Sequence, residues 1–252
     1  MIKVAINGIN GKMGKVLSDA VRNQEDMELV CGFDIYDDGN NGCPVYKTPS
    51  DCPDKVDVVI DFSHPALFEG LIEYGIASKT PLVIATTGLS AQQKQKMVEV
   101  SKEIAVFHSA NMSLGVNLLI DLVKQAAQVL YGNFDIEIIE KHHNQKIDAP
   151  SGTALMIADE IADSLDDSMQ YVYDRHSVRK KREKTEIGIH AVRGGTIVGE
   201  HEVLFAGKDE MISVTHTATS KEIFATGGVR AARFLAGKQK GYYSMRDVIS
   251  NQ

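Results

Sequence analysis

Tryptophan is absent from the 252 residues, and cysteine occurs only three times, at Cys31, Cys43 and Cys52. Three is an odd number, and the spacing matches no zinc pattern, so no metal is expected; with nine methionines the chain reads as reduced and cytoplasmic. An excess of basic residues is lacking too. The formal net charge of −7 argues against a general nucleic-acid binder, although a local basic site for an anionic small molecule stays open. No apolar run approaches the ~20 residues needed to cross a bilayer, so no membrane partner is expected. Residues 1–7 run directly into glycines without a cationic stretch or a small-residue cleavage site, so export is not expected either. Internal repeats and low-complexity tracts are also missing. What is present is a globular composition, 43% hydrophobic and 24% charged, which excludes a disordered or collagen-like chain. At about 150 residues per domain, the length falls between one large domain and two modest ones.

The first 110 residues alternate strand-like and helix-like segments. Strands are expected at 2–7, 28–34, 56–62, 81–86 and 104–108, and helices at 13–22, 66–77 and 91–102. Short, fully apolar strands separated by helices indicate a parallel sheet covered on both faces, hence a Rossmann-like doubly wound α/β fold. The stretch 37–53 is rich in Gly, Asn, Asp and Pro and reads as a surface loop. After Asn111 the pattern changes. Helices are expected at 114–130 and 153–165, a half-exposed strand at 134–140, and strands at 186–192, 197–205 and 211–218 that read as antiparallel neighbours joined by turns. This second part reads as an α+β domain with an open mixed sheet, followed by a last helix at 222–236 and a polar tail.

Gly8-Ile9-Asn10-Gly11-Lys12-Met13-Gly14 follows the first strand and opens the first helix, the context a dinucleotide site requires. Gly8 takes the sharp turn, Gly11 lets the backbone approach a pyrophosphate, and Gly14 allows close helix–sheet packing. The spacing is G-x-x-G-x-x-G, and glycine turns after strands are also ordinary punctuation. Asp34 strengthens the reading, because an acid closing the second strand accepts hydrogen bonds from an adenosine ribose. With Ile35 and Tyr36 next and no arginine, Asp34 favours NADH over NADPH; Lys12 keeps NADPH open. Ligands of such sheets lie beyond the carboxyl ends of the strands. Ala85-Thr86-Thr87-Gly88 and Ser109-Ala110-Asn111-Met112 end two of them and are candidates to seat a nicotinamide, with turn chemistry as the plain alternative. His64 at a helix start reads as structural.

The segment from Glu140 to Thr153 carries the densest chemistry. It leaves a strand and enters a helix, and it sets His142, His143 and Lys146 before Pro150, Ser151 and Gly152, which are good helix-start residues. A dicarboxylate would find charge-assisted donors and free backbone N–H groups there. Lysine is a fixed cation at neutral pH, and histidine titrates near it, which suits proton donation. A solvated loop is the competing reading, and zinc is disfavoured because no cysteine lies nearby.

Together, residues 8–14, 85–88, 109–117 (SANMSLGVN), 140–155 (EKHHNQKIDAPSGTAL) and 193–201 (RGGTIVGEH) resemble the 4-hydroxy-tetrahydrodipicolinate reductase (dihydrodipicolinate reductase) family of the diaminopimelate–lysine pathway. The resemblance spans nearly the whole chain, and the H-H-x-x-K-x-D-A-P-S-G-T run is its most specific part. It implies an oxidoreductase that reduces a cyclic hydroxy-dicarboxylate with NADH or NADPH after loss of water. By the same resemblance His142 is the proton donor/acceptor and Lys146 the second proton donor, while His143, Gly152 and Thr153 hold substrate carboxylates. Gly8, Ile9, Asn10, Gly11, Lys12, Met13, Asp34, Ala85, Thr86, Thr87, Ser109, Ala110, Asn111 and Met112 become cofactor contacts. The implied layout is a nucleotide domain at 1–112, a substrate and oligomerisation domain at 113–221, and a C-terminal piece at 222–252 returning to the first. Hinges near Ser113 and Lys221, and a homotetramer formed through the substrate-domain sheets, follow from it as well. The chain departs from the family pattern where Ala85 stands for a usual Gly, Met112 for a common Phe, Ser109 for a common Ala, and Asp34 for a frequent Glu-Arg pair.

Two rivals remain. A semialdehyde-type dehydrogenase needs a catalytic thiolate, yet every cysteine precedes residue 53. A non-catalytic dinucleotide sensor would keep the glycine loop but need no His142/Lys146 pair. The basic segment 175–184 reads as a solvated, mobile loop, and less readily as a lid or anion-steering patch. All of it depends on the imidazoles and the ammonium facing a bound nicotinamide.

Overall fold

A period-two alternation of apolar side chains builds the first sheet. In the computed structural model, which describes residues 1–37 and 39–250, strands β1 (Ile2–Asn7), β2 (Met27–Phe33), β3 (Val45–Tyr46), β4 (Val58–Asp61), β5 (Leu82–Ile84) and β6 (Ala105–His108) run parallel. Residue 38 of the expected loop and residues 251–252 of the expected tail lie outside the described residues. Helices α1 (Lys12–Arg22), α2 (Phe68–Ser78) and α3 (Ala91–Val100) link the strands. Val4, Ile6, Val58, Ile60, Val83 and Phe107 point to one side, where they meet Leu17 and Val21 of α1. Ala5, Val59, Leu82, Ile84 and Val106 point to the other, against Leu71 and Ile72 of α2 and Met97 of α3. Helix α3 starts where Ser90 and Gln93 cap each other's backbone N–H groups.

The second set of elements comprises α4 (Leu114–Leu130), β7 (Asp135–His142), α5 (Gly152–Ala162), β8 (Gln170–Val172), β9 (Glu186–Arg193), β10 (Gly199–Ala206) and β11 (Met211–Ala218). Here one sheet face is covered. Val116, Leu119, Ile120 and Val123 of α4 and Ala154, Ile157 and Ile161 of α5 pack on Ile136, Ile138, Ile187, Ile189, Val203 and Phe205. The chain then gives α6 (Glu222–Leu235), β12 (Gly241–Tyr243) and α7 (Met245–Ser250). Backbone contacts divide it into one unit of Met1–Leu114 with Glu222–Gln252 and another of Gly115–Lys221.

The sheet orders are β12-β6-β5-β4-β1-β2-β3 and β11-β10-β7-β9-β8. In the first, the order in which the chain adds strands reverses between the parallel β1 and β4, the kind of switch point at whose carboxyl ends such sheets bind ligands. Three expectations need correction. Strands β9 and β10 are not antiparallel neighbours: β7 lies between them, parallel to β9 and antiparallel to β10. The glycine-rich connector 194–198 steps over the end of β7 instead of closing a hairpin. The expected polar tail contains β12, which adds to the first sheet beside β6, and α7, whose Met245 and Val248 enter the core. The expected loop 37–53 contains β3 and a short 3₁₀ turn, Pro49–Asp51. Among the described residues no helix is long and apolar enough to cross a membrane.

Candidate active site

In the first unit, the glycine turn is set by backbone contact. Gly8 has φ +82°, and its N–H donates to Phe33 O at 2.8 Å. A Cβ on Gly14 would lie 2.1 Å from Gly8 O, which excludes a side chain there, and one on Gly11 would be tight at 3.1 Å from the same oxygen. This cradle of glycines at a helix N-terminus fits a pyrophosphate. The Asp34 carboxylate accepts from Asn10 N–H at 3.0 Å and from Tyr36 N–H at 3.3 Å, so the acid and the glycine loop hold each other. Asn10 also donates to Tyr36 O and accepts from Asn41 at 2.9 Å. Lys12 is exposed, whereas Ile9 is fully buried and offers a ligand only its backbone; Met13 packs partly against the core.

Under this turn lies a polar network invisible in the sequence. Asp61, ending β4, is 2% exposed and takes hydrogen bonds from Asn7 (2.9 Å), the Ser63 hydroxyl (2.5 Å) and the Thr86 hydroxyl (2.7 Å). Burial pushes its carboxyl above the ordinary range, against those bonds. The Thr86 hydroxyl is therefore committed to structure; it also accepts from Ser63 N–H at 3.0 Å. Thr87 is exposed, while Ala85 is buried. Ser109 donates to Asn111 O at 2.7 Å, Asn111 accepts from Ser113 N–H at 2.8 Å, and Ala110 is exposed. Met112 is buried against Gly227, where a Cβ would lie 1.8 Å from Met112 O. His64 accepts from Ala66 N–H at 3.1 Å and caps a 3₁₀ turn.

In the second unit, charge does the work. Glu140 and His142 are two apart on β7, so both side chains face the same side of the sheet. Glu140, fully buried, receives both terminal nitrogens of Arg193, at 2.7 Å on Oε2 and 2.6 Å on Oε1. His142 Nδ1 lies 2.6 Å from Oε2, and Ser151 N–H donates to Oε1 at 3.0 Å. Burial pushes the Glu140 carboxyl up, but the Arg193, His142 and Ser151 bonds outweigh it and hold it below the usual range. Ser151 caps α5 by accepting from Ala154 N–H at 3.1 Å, and its hydroxyl lies 2.9 Å from His201 Nε2. The His142 and His201 rings meet edge to face at 5.2 Å. Burial, then the nearby charge of His142, lowers His201 to about 4. His142 is lowered by burial and by the charges of Lys146 and Arg193, against the opposing pull of Glu140.

Lys146 is thus near His142, and its Nζ pairs with Asp148 Oδ1 at 2.8 Å. Asp148 also accepts from Gly152 N–H, so an internal carboxylate sits where the helix N-terminus and the lysine converge. His143 is half-exposed, and Gly152 and Thr153 form the first turn of α5. Among the expected site residues of this unit, Lys146 and Gly152 share Asp148 as a partner, and His142 lies close enough to Lys146 to feel its charge. Glu140, Arg193, Ser151 and His201 were not among the expected site residues. Arg193 and His201 stood in the quoted RGGTIVGEH run, and the i, i+2 spacing to His142 was the signal for Glu140.

The basic segment 175–184 is more engaged than a solvated loop. Arg175 and Arg182 bind Glu137 at 2.8 and 3.0 Å, and Arg182 also binds Asp135 at 2.9 Å. These acids lie at the opposite end of β7 from His142, which removes the lid reading for both arginines. No group of His, Cys, Asp and Glu among the described residues is placed to hold a metal ion.

Residues 2–112 match the family model for the dihydrodipicolinate reductase N-terminus, and residues 115–249 match that for its C-terminus. The chain belongs to the dihydrodipicolinate reductase family. A 4-hydroxy-tetrahydrodipicolinate reductase of Clostridium novyi (strain NT) is 48% identical over 252 residues, covering 100% of both chains. One from Caldanaerobacter subterraneus subsp. tengcongensis is 51% identical over 249 residues, covering 99% of this chain and 98% of the relative. The dipicolinate-bound dihydrodipicolinate reductase of Paenisporosarcina sp. TG-14 superposes with a TM-score of 0.81 at 28% identity, covering 96% of this chain and 98% of that one. A probable dehydrogenase of Thermotoga maritima, at 11% identity and a TM-score of 0.64, shares the fold alone.

Proposed function

We propose that this chain reduces 4-hydroxy-tetrahydrodipicolinate to tetrahydrodipicolinate, with loss of water, at the expense of NADH or NADPH, in lysine and diaminopimelate biosynthesis. The observation that carries this reading is the gathering of His142, Lys146 and Arg193 at the N-terminus of α5, in a chain whose other unit carries the glycine cradle. When bound, the reduced nicotinamide supplies a hydride. The chain's own groups do the rest. Gly8 to Met13 and Asp34 hold the dinucleotide, with Ala85 to Thr87 and Ser109 to Met112 beside its nicotinamide half. Lys146, His143, Gly152 and Thr153 take the two carboxylates, one of which replaces Asp148 at Lys146 and at the Gly152 N–H.

Proton supply follows from the local charges. Without ligand, burial and the two neighbouring cations disfavour the charged form of the His142 imidazole. A bound dianion offsets those cations, raises the affinity of His142 for a proton, and leaves an imidazolium ready to protonate the reduced ring. Lys146 steadies the carboxylate and is the second proton donor.

The test is steady-state kinetics following loss of nicotinamide absorbance. His142→Gln is expected to lower kcat on the order of 10²–10⁴-fold with little change in KM, the span of general acid catalysis. Lys146→Ala is expected to impair both kcat and KM. Full activity in either variant ends the assignment, and no turnover at all in the native chain favours a dinucleotide sensor. Asp34, an anion where a 2′-phosphate would sit, points to NADH, so a lower KM for NADPH would refute that preference. The same reading makes the chain a cytoplasmic homotetramer. Ile139 and Leu204 lie on the sheet face opposite α4 and α5, a surface suited to a second copy, and a monomeric mass in sedimentation would exclude it.

A further inference from the structure

One fully buried carboxylate in the second unit, Glu140, binds His142, Arg193 and the Ser151 N–H together. We propose that Glu140 is a positioning residue that fixes His142 as its Nδ1–H tautomer and clamps Arg193, so that Nε2 of His142 is the atom that carries the proton. This rests on the functional reading above.

The geometry leaves little freedom. Both oxygens of Glu140 are used twice: Oε1 by Arg193 and Ser151 N–H, Oε2 by Arg193 and His142 Nδ1, at 2.6–3.0 Å. A carboxylate facing a two-pronged guanidinium is an acceptor only, so His142 must bring the hydrogen to that contact. In the neutral ring the hydrogen is then on Nδ1, and Nε2 is left bare to take up and release a proton. The ring is held from the other sides as well. His201 packs edge to face against it, and a Cβ on Gly199 would lie 3.0 Å from Nε2, so a side chain there would crowd that nitrogen. Arg193 is fixed further by Asp148 O at 2.7 Å, which ties the clamp to the loop bearing Lys146. A single carboxylate thereby sets the direction of the proton donor, the guanidinium and the first residue of the α5 cap.

A merely structural ion pair would have the same contacts, so the test must read protonation. The charged and titratable groups facing His142 are Glu140 on its own strand, Arg193 on β9, Lys146 on the loop and His201 on β10. Of these only Glu140 favours the imidazolium. Glu140→Gln is expected to lower kcat on the order of 10²-fold with a smaller change in KM. In the same variant the loss of activity on the alkaline side sets in at lower pH, because the anion that favoured the charged ring is gone. Glu140→Asp, which keeps the charge, is expected to return the pH profile towards the native one even where kcat stays reduced. Should Glu140→Gln fail to fold, ¹⁵N spectra of the native chain decide the matter. A neutral His142 protonated on Nδ1 supports the proposal, and one protonated on Nε2 overturns it. A native pH profile and kcat in Glu140→Gln also overturn it. If His142→Gln is inactive while Glu140→Gln is native, only this inference falls; if His142→Gln is fully active, the functional reading falls first.

Discussion

Each unit buries one carboxylate beneath its candidate site, and the two meet opposite fates. Asp61 in the first unit is satisfied by neutral donors alone, Asn7, Ser63 and Thr86, and its carboxyl is pushed up. Glu140 in the second is at least as buried, but it faces a guanidinium and an imidazole and is held down. Desolvation has the same sign in both; the partner decides the outcome. Under the proposed function, the difference matches what each unit would recognise. A dinucleotide would be cradled by main-chain N–H groups, over a floor whose buried carboxyl meets only uncharged donors. A dicarboxylate would be met by side-chain charge, and its unit keeps a buried anion beside its cations.

Removing the guanidinium is the most direct way to erase this contrast. Arg193→Met leaves Glu140 buried with only an imidazole and the Ser151 N–H, and breaking a buried pair by deleting one partner costs about 3–5 kcal/mol. Urea unfolding of the variant is expected to show a loss of that order, with the transition recovering below neutral pH as Glu140 takes up a proton. A midpoint equal to the native one would mean that Arg193 contributes nothing to holding this carboxylate.

Acid sharpens the comparison from the other side. His201 is depressed from 6.5 to about 4 by burial, with the charge of His142 next in weight. Its folded form binds protons less readily than the unfolded chain, so the stability it contributes is complete above pH about 6.5. That contribution is lost as pH falls towards about 4, and the shift corresponds to roughly 3 kcal/mol. Glu140, Lys146 and His216 also act on His201, and none of them reverses the direction. Urea midpoints measured across this window are expected to fall with pH, and His201→Asn is expected to flatten that part of the slope. An unchanged slope in the variant would reassign the acid sensitivity to other groups.

Much of the first unit was legible because its signals are local. The run Ile2–Asn7 into Gly8, Gly11 and Gly14 reads as strand, turn and helix from adjacent residues. The second unit was legible in its elements but not in their adjacency. Arg193-Gly194-Gly195 has the composition of a hairpin turn, yet the strand that separates β9 from β10 comes from about fifty residues earlier. Short parallel edges such as Gly241–Tyr243 carry too few residues for a periodic signal and exist because Ala105–Phe107 offers a partner. The His-His-Lys segment announced chemistry, but the groups that orient it, Arg193 and His201, are 53 and 50 residues from the partners they bind.

The smallest expected effect tests the uncharged donors around Asp61. Thr86→Val keeps shape while removing the hydroxyl that donates to Asp61 at 2.7 Å and accepts from Ser63 N–H at 3.0 Å. Ser63 N–H then keeps only Asp61 Oδ1, at 3.2 Å, and Asp61 loses one of its three side-chain donors. A lost bond of this kind costs about 1–3 kcal/mol. Position adds a functional consequence, because the Ser63 Cα is 3.0 Å from where a Cβ on Gly8 would lie, directly against the glycine turn. Any shift of Ser63 is therefore felt by the cradle, and the KM for the dinucleotide is expected to rise several-fold. The pH dependence of kcat, which the proposals assign to Glu140 and His142 in the other unit, is expected to stay where it is. A changed pH profile with an unchanged dinucleotide KM would show that the two buried carboxylates do not serve separate ligands.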